Sequence, residues 1–251
     1  MKEIQLEMLS MFPSIGSGVV APTTRTTSPI VTGTTVIGIK YDGGIMLAAD
    51  TLASYGSLAR YNDVRRIQKV GSNTLIGASG EISDYQAITD ILQGMNREDI
   101  NQDDGYTRSP QEIHSYLRNV LYQRRNKGNP LWNQILVGGF RNDKSFLGYV
   151  DLIGTAYEEN YIATGFGAYL AIPLIRERWT ATITEGEARA LLEDCLRVMY
   201  YRDCRASCRI QIAKATATGT VVSEPYLLSS DWETANFDVR HGNPANFGTD
   251  W

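Results

Sequence analysis

The chain has 251 residues, of which 43% are apolar and 21% charged, with a formal net charge of −4 at pH 7. Such a composition is typical of a soluble globular protein, and the small negative charge gives no electrostatic basis for binding nucleic acid. No apolar run is long enough to span a bilayer, so no membrane partner is expected. The three cysteines, Cys195, Cys204 and Cys208, are interpreted as reduced intracellular thiols. They and two histidines are too few for a four-ligand zinc site, so no metal or other cofactor is expected.

The N-terminal fifth of the chain predicts a loop followed by a hairpin. Residues 1–25 carry Pro, Gly, Ser and Thr without a period, which is typical of irregular or disordered chain. Residues 34–40 are β-branched and apolar, residues 45–49 form a second apolar run, and Asp42-Gly43 between them suits a tight turn with positive backbone angles. The antiparallel pairing of these strands brings Asp50 back near Thr34.

The middle of the chain predicts a loop, two strands and two helices. Residues 51–61 are small and polar, with a turn at Tyr55-Gly56-Ser57, and strands are predicted within 64–70 and over 74–78. Apolar residues at helical spacing then predict a helix from Ile82 to Leu92. A second helix begins with the capping box Ser109-Pro110-Gln111-Glu112.

The C-terminal half repeats this order of elements. Strands are predicted over 134–140 and 145–152, and a helix over 168–179 that Pro173 delays or bends. A second capping box, Thr184-Glu185-Gly186-Glu187, opens a further helix, and residues 209–223 predict a last hairpin. Helices that are grouped in pairs between strands favour an α+β fold of antiparallel sheets with helix layers.

Several segments in order resemble one known family. Gly33-Thr34-Thr35, a strand, Gly43-Gly44, a second strand and Ala48-Ala49-Asp50 resemble the proteasome β-type subunits, which are N-terminal-nucleophile hydrolases. The resemblance is closest to their non-catalytic β7 (β4-type) subfamily, and it runs from about Thr26 to the last strand. It rests on further segments at Ser28-Pro29-Ile30-Val31-Thr32, Ser54-Tyr55-Gly56-Ser57-Leu58-Ala59-Arg60, Asn129-Pro130-Leu131-Trp132-Asn133, Phe146-Leu147-Gly148-Tyr149-Val150-Asp151 and Tyr200-Tyr201-Arg202-Asp203. It implies a four-layer αββα sandwich of two antiparallel sheets between helix layers.

The resemblance also implies a division of the chain and a set of partners. Residues 1–25 would be a propeptide that is removed near Thr26, 26–33 an N-terminal extension, 34–228 the core domain and 229–251 a C-terminal tail. The partners would be other proteasome α and β subunits in a hetero-oligomeric stacked-ring particle, with assembly chaperones in addition. The expected location is the cytoplasm and nucleus.

The tail from residue 229 onward carries aromatic side chains on a segment without a period: Trp232, Phe237, Phe247 and Trp251. From the residues alone, docking on this domain and anchoring in a partner surface are equally good interpretations. The resemblance favours the partner, because β7 subunits extend a C-terminal segment into the opposite β ring.

An active family member cuts its own chain before the threonine of the Gly-Thr pair and then uses the threonine hydroxyl as nucleophile, with the new α-amine as base. Counted from Thr34, this sequence keeps the aspartate as Asp50 and the oxyanion glycine as Gly80. The position of the family's lysine, however, is Arg66, and an arginine stays protonated and cannot shuttle a proton as lysine can.

Two further positions depart from the active pattern. Asp203 is kept, but the two serines of the family's site are replaced by Phe166 and Ala206. The loss of one member of a catalytic unit already removes most of the rate, so three losses predict a degenerate site in a structural and assembly subunit. The alternatives are an active threonine peptidase with an atypical site and a free-standing binding module with an aromatic tail.

Overall fold

Two antiparallel sheets form the centre of the computed structural model, which describes residues 28–232. Thr26, Phe237, Phe247 and Trp251, which the sequence singled out, lie outside the described residues. No helix within the described part of the chain is long and apolar enough to cross a membrane.

The first sheet has eight strands. They are β1 (Val31–Gly33), β4 (Ala53–Tyr55), β5 (Leu58–Tyr61), β6 (Ile67–Val70), β7 (Thr74–Glu81), β8 (Asn133–Arg141), β9 (Lys144–Asp151) and β10 (Ala156–Glu158). Their order across the sheet is β10-β9-β8-β7-β1-β4-β5, and β6 pairs with the first half of β7. The N-terminal strand β1 therefore lies inside the sheet, between β7 and β4.

The second sheet has six strands. They are β2 (Val36–Tyr41), β3 (Gly44–Asp50), β11 (Tyr161–Ala163), β12 (Arg209–Thr216), β13 (Gly219–Val222) and β14 (Tyr226–Leu227). Their order is β11-β2-β3-β12-β13, with β14 paired to the start of β12. The predicted hairpin of β2 and β3 is thus at the centre of this sheet, where β3 is buried along its whole length.

Four helices cover the two outer faces. They are α1 (Ile82–Gln102), α2 (Pro110–Asn126), α3 (Gly167–Arg178) and α4 (Glu185–Arg202). Side chains of α1 and α2 pack on the first sheet, and those of α3 and α4 pack on the second. A third apolar cluster, which includes Leu47, Leu75 and Leu136, fills the space between the sheets. The predicted α+β class and αββα layering are therefore confirmed.

Both capping boxes are present. The Ser109 hydroxyl accepts a hydrogen bond from the Glu112 N–H at 3.2 Å, and the Ser109 N–H donates to the Glu112 carboxylate at 2.6 Å. Thr184 and Glu187 make the same reciprocal pair. These contacts satisfy N–H groups that an isolated helix start leaves unpaired, which explains why both starts are readable from the sequence.

The structure corrects several local predictions. Residues 51–61 are not a loop, because β4 and β5 form a hairpin there around Gly56, whose φ is +61°. In the turn at Asp42-Gly43 only Gly43 has a positive φ, and Pro173 lies within α3 without delaying its start. The strands β1, β10, β11 and β14 were not predicted, because two or three residues are too few to show a period.

Candidate functional site

Three of the residues that the sequence singled out meet around one guanidinium group. Thr34 lies between β1 and β2, Asp50 ends β3, and Arg66 directly precedes β6. The Arg66 side chain contacts the main chain of both other residues: its Nε donates to the Asp50 carbonyl at 3.1 Å and its Nη1 to the Thr34 carbonyl at 3.2 Å. The folded chain thus brings together residues that are 16 and 32 positions apart.

Arg66 is one of the most completely buried large side chains, with 1% of its surface exposed. Besides the two contacts above, its Nη1 donates to the Ala78 carbonyl and its Nη2 donates to the Thr35 carbonyl and to the Asp50 carboxylate. Five hydrogen bonds match the five N–H donors of a guanidinium. Arg66 therefore links three segments of main chain and has no unprotonated nitrogen that could act as a base.

Asp50 forms a buried ion pair with Arg66. Its second carboxylate oxygen accepts a hydrogen bond from the Ser207 N–H at 2.9 Å. Burial raises the pKa of Asp50, while the Arg66 charge and the Ser207 N–H act in the opposite direction. Both oxygens are thus engaged in holding the loop after α4 and the segment before β6.

Thr34 has a buried hydroxyl, and this Oγ1 atom has no hydrogen-bond partner within residues 28–232. The residue before it, Gly33, belongs to β1, so the nitrogen of Thr34 is a peptide nitrogen here. An amide nitrogen cannot accept the proton of a neighbouring hydroxyl as an amine can. As long as the bond between Gly33 and Thr34 is intact, Thr34 therefore has no α-amine that could act as a base.

The segment ahead of Thr34 occupies the space between two strands of the first sheet. On one side Thr32 pairs with Ser54 of β4, and on the other side it pairs with Glu81 of β7. The Glu81 carboxylate accepts hydrogen bonds from the N–H groups of Ile30, at 2.5 Å, and Val31, at 3.1 Å. The strand β1, which leads directly into Thr34, thus occupies the position between β4 and β7 in the sheet.

Two glycines allow the main chain to pack closely at this place. A Cβ atom on Gly33 would lie 2.4 Å from Cδ of Arg66, so only glycine fits over the guanidinium. Gly80, the position of the family's oxyanion glycine, has a φ of +94°, and a Cβ there would lie 2.1 Å from the Trp132 carbonyl oxygen. Its main chain pairs with Gly33 in the sheet. Gly80 is therefore required by the packing of the sheet, independently of any catalytic role.

Phe166 does not fill the space beside Thr34. The side chain is 59% exposed, and its ring lies edge-on to that of Tyr169, with 6.5 Å between the centroids. The main chain of Gly165 lies closer, because a Cβ atom on it would be 3.7 Å from the carbonyl carbon of Thr34. The hydroxyl that the family places at position 166 is absent, and the aromatic ring is on the surface instead.

Asp203 and Ala206 lie in the turn that follows α4. One oxygen of the buried Asp203 carboxylate accepts a hydrogen bond from the Arg205 N–H at 2.9 Å, and the Ala206 N–H donates to the Asp203 carbonyl at 3.1 Å. The next residue, Ser207, is the one that bonds to Asp50. The turn is thus connected to the ion pair of Asp50 and Arg66 through the Ser207 N–H. Ala206 itself contributes no polar side-chain atom.

Sequence reasoning missed Glu81, Ser207 and Thr35 as members of this site. The Thr35 hydroxyl accepts a hydrogen bond from the Gly167 N–H at 3.0 Å and so ties the site to the start of α3. Their residue types are common at strand ends and helix starts, and their partners are 50, 157 and 132 positions away along the chain. No local pattern could have identified them.

Trp232 is the only tail aromatic within the described residues. Its ring lies edge-on to Tyr201 at 4.7 Å and to Tyr200 at 5.5 Å, and the Tyr201 hydroxyl accepts a hydrogen bond from the Asp231 N–H at 2.7 Å. Trp232 therefore packs on α4 of its own chain, and its role in a contact with a partner stays a prediction. It remains 57% exposed.

Two antiparallel sheets between helix pairs, with a threonine between the first two strands and an aspartate at the end of the third, define the N-terminal-nucleophile hydrolase fold. The family model described as "Proteasome subunit" matches residues 30–215. The chain belongs to the proteasome subunit family.

Individual relatives support the same assignment. The chain is 48% identical to the proteasome subunit beta type-4 of Xenopus laevis, over 91% of this chain and 93% of the relative. It is 45% identical to the beta type-4 subunit of Arabidopsis thaliana, over 90% and 91% of the two chains. It is 44% identical to the beta type-7 subunit of Saccharomyces cerevisiae, over 77% and 76%. These comparisons confirm the resemblance to the β7 (β4-type) subfamily.

Proposed function

We propose that this chain is a non-catalytic β-type subunit of the 20S proteasome core, which serves ubiquitin-dependent protein degradation by building and closing the chamber in which other subunits cut peptides. The relatives that carry beta type-4 and type-7 names support the β-type assignment. The two sheets and four helices form the rigid domain that such a subunit would contribute to the ring.

The observation that carries the absence of catalysis is the Arg66 hydrogen-bond network. The guanidinium donates hydrogen bonds to the carbonyls of Thr34 and Thr35. These bonds fix the main chain at the position where an active subunit has its nucleophile. Peptide cleavage by this family needs groups that move a proton at the threonine, and the guanidinium of Arg66 stays protonated and cannot replace a lysine in that role. The replacement of serine hydroxyls at positions 166 and 206 supports the same conclusion.

The proposed partners follow from membership of a ring particle. They are the neighbouring α and β subunits, an assembly chaperone, and the opposite β ring, which the tail after residue 232 would reach. The particle would work in the cytoplasm and nucleus. A neighbouring active subunit would trim the chain near Thr26, because this chain cannot cut at Gly33-Thr34 by itself.

The N-terminus of the mature chain tests this proposal. The subunit is isolated from the particle, and its first residue is determined by N-terminal sequencing and intact mass. We expect a start close to Thr26, so that the strand β1 is kept. A start at Thr34 would instead favour a threonine peptidase with an atypical site. As a control, Thr34→Ala should leave the processing and the peptidase activity of the particle nearly unchanged. A separate measurement is the sedimentation of the wild-type chain, which would exclude a ring subunit if the chain sedimented as a lone monomer.

A further inference from the structure

A groove of about 980 Å³ lies where an edge of each sheet meets α1. Its walls include Ile67 and Lys69 of β6, Thr220 and Val222 of β13, and Gln93 of α1. We call it the edge groove. None of the residues of the degenerate site described above lines it.

The two strands that border the edge groove each have one strand partner among the described residues, and β13 is the more accessible of the two, because Ile67 of β6 is only 2% exposed. In the described chain β6 pairs only with β7, and β13 pairs only with β12. The Ala78 N–H bonds to the Arg66 carbonyl, and hydrogen bonding in an antiparallel pair alternates along the strand. The main-chain groups of Ile67 and Lys69 therefore point away from β7.

The same alternation holds for β13. The Ser223 N–H bonds to the Ile212 carbonyl, so the main-chain groups of Thr220 and Val222 point away from β12. All four outward-facing residues, two on each strand, line the edge groove. An open strand edge offers alternating donors and acceptors, and the ligand that matches it is another extended main chain.

A buried acceptor at the edge groove independently indicates a ligand. Gln211 is 3% exposed and lines the groove. Its Nε2 donates to the Ser223 carbonyl at 3.0 Å, but its Oε1 is buried without a hydrogen-bond partner among residues 28–232. A buried carbonyl oxygen in this state is unfavourable until a donor reaches it.

The charges at the edge groove favour an acidic occupant. Arg65 and Glu224, which both line the groove, form an ion pair at 3.1 Å. Lys69 is exposed and has no ion pair within the described residues, so one positive charge is left uncompensated. A segment with a carboxylate opposite Lys69 complements this charge.

We propose that the edge groove binds an extended, acidic segment of a neighbouring proteasome subunit. The main chain of that segment pairs with the open edge of β13 at Thr220 and Val222, an N–H of it donates to Gln211 Oε1, and a carboxylate lies near Lys69. The inference rests on the proposed function, since ring assembly supplies the neighbour, and it adds a specific contact to that function.

A matched pair of variants on one strand tests the contact. Thr220→Arg places a long charged side chain in the edge groove, whereas Val221→Arg changes the next residue, which is 55% exposed and does not line the groove. Each variant is expressed as the only copy of the chain, and its incorporation into particles is quantified on native gels. We expect at least about tenfold less incorporation of Thr220→Arg, and wild-type incorporation of Val221→Arg. Thermal melting of each isolated chain checks that it folds.

Hydrogen exchange reads the main-chain pairing directly and does not depend on a variant that folds. In the wild-type chain, the amides of Thr220 and Val222 should exchange at least about tenfold more slowly in the particle than in the isolated chain. If the wild-type chain is in the particle and neither of these amides is protected there, the edge-groove inference is wrong, while the proposed function stands. If the wild-type chain is absent from the particle, the proposed function itself fails.

A photo-reactive amino acid at the exposed position Gln93 identifies the occupant. Cross-linking in the intact particle followed by mass spectrometry should recover a peptide of a neighbouring subunit that contains an Asp or Glu. A cross-link to a second copy of this chain, or to this chain's own tail, would contradict the inference.

Discussion

Arg66 places a guanidinium in the interior, where each of its N–H donors meets a carbonyl or carboxylate oxygen. Lysine offers three donors from one point and cannot reach the same five acceptors. The lysine of an active family site and the arginine of this chain therefore have different physical roles. Arginine at this position stabilises the junction of β2, β3 and β7, but it stays protonated and cannot transfer a proton.

The first prediction concerns Arg66→Lys. We expect a loss of about 3 kcal/mol in the free energy of unfolding, because several buried carbonyl groups lose their donors. We also expect no labelling of Thr34 by a threonine-directed covalent inhibitor, since the nitrogen of Thr34 stays an amide. Urea unfolding and mass spectrometry measure the two effects. Arg65→Lys is the control, because Arg65 makes only exposed ion pairs, and it should change stability by less than about 0.5 kcal/mol.

The second prediction concerns Cys195, which is fully buried in α4. Burial raises the pKa of its thiol from 9.0 to about 12. The nearby Arg178 charge lowers this pKa by a smaller amount, and the Asp194 charge raises it. The unfolded chain releases this proton at lower pH than the folded chain does. The contribution of the thiol to stability is therefore complete below pH 9 and is lost as the pH rises from 9 toward 12.

Denaturant unfolding between pH 8 and 10.5 measures this effect. The free energy of unfolding should fall by about 1.4 kcal/mol per pH unit above the thiol's unfolded pKa. Cys195→Ala should be less stable at pH 8 but should show a shallower decline, whereas Cys204→Ala, at an exposed position, should keep the wild-type slope. Equal slopes for all three chains would show that Cys195 has no part in the decline. Burial also raises the pKa of Tyr41 to about 12, so the shared loss at higher pH belongs partly to tyrosines.

At the scale of elements, β1 has only three residues and is held by its neighbours. β7 and β4 pair with β1 on its two sides. The Glu81 carboxylate also accepts hydrogen bonds from the N–H groups of Ile30, which precedes β1, and Val31, its first residue. Hydrogen bonds to a carboxylate are stronger than those between neutral groups. Glu81 therefore has a large share in keeping the segment before Thr34 in the sheet.

The third prediction follows for Glu81→Ala. The amides of residues 30–33 should exchange with solvent at least about tenfold faster, because their local opening loses two charge-assisted hydrogen bonds. Native-state hydrogen exchange measures this change, and limited proteolysis should cut the segment sooner. Glu98→Ala, an exposed change on α1, serves as the control. Unchanged exchange in Glu81→Ala would mean that the strand pairing alone holds β1.

At the scale of the whole molecule, residues 28–232 account for both sheets and all three apolar clusters. The tail begins on the surface of α4, where Trp232 packs on Tyr200 and Tyr201. Phe237, Phe247 and Trp251 follow this anchor in the sequence. The described domain is complete without them, so a role in contacts between subunits stays a prediction.

The fourth prediction is that deletion of residues 233–251 leaves the domain folded but slows the formation of full particles. Buried aromatic anchors contribute on the order of 2 kcal/mol each at an interface, so half-particles should accumulate on native gels. A full-length chain with alanine at Phe237, Phe247 and Trp251 should behave in the same way. Normal assembly of both variants, with normal resistance to salt, would mean that the tail does not hold the half-particles together.

The sequence by itself determined the features that depend on neighbouring residues. Both capping boxes and the central hairpin of β2 and β3 were predicted, because a helix start or a tight turn is set within a few positions. The grouping of these elements predicted antiparallel sheets with helix layers, and the family resemblance added the αββα order of the layers. The resemblance to the family also predicted the replacement of the catalytic set, since the residue type at each matched position can be read without a structure.

Only the tertiary structure decided how the site is filled. Thr32 pairs with Glu81, Ser207 binds Asp50, and Arg66 collects carbonyls from three segments. Each of these contacts joins residues far apart in the chain, and a three-residue strand such as β1 exists only because two longer elements bring their edges to either side of it. Contacts of that kind depend on the relative position of whole sheets, which is set by the packing of apolar clusters and leaves no local pattern in the sequence.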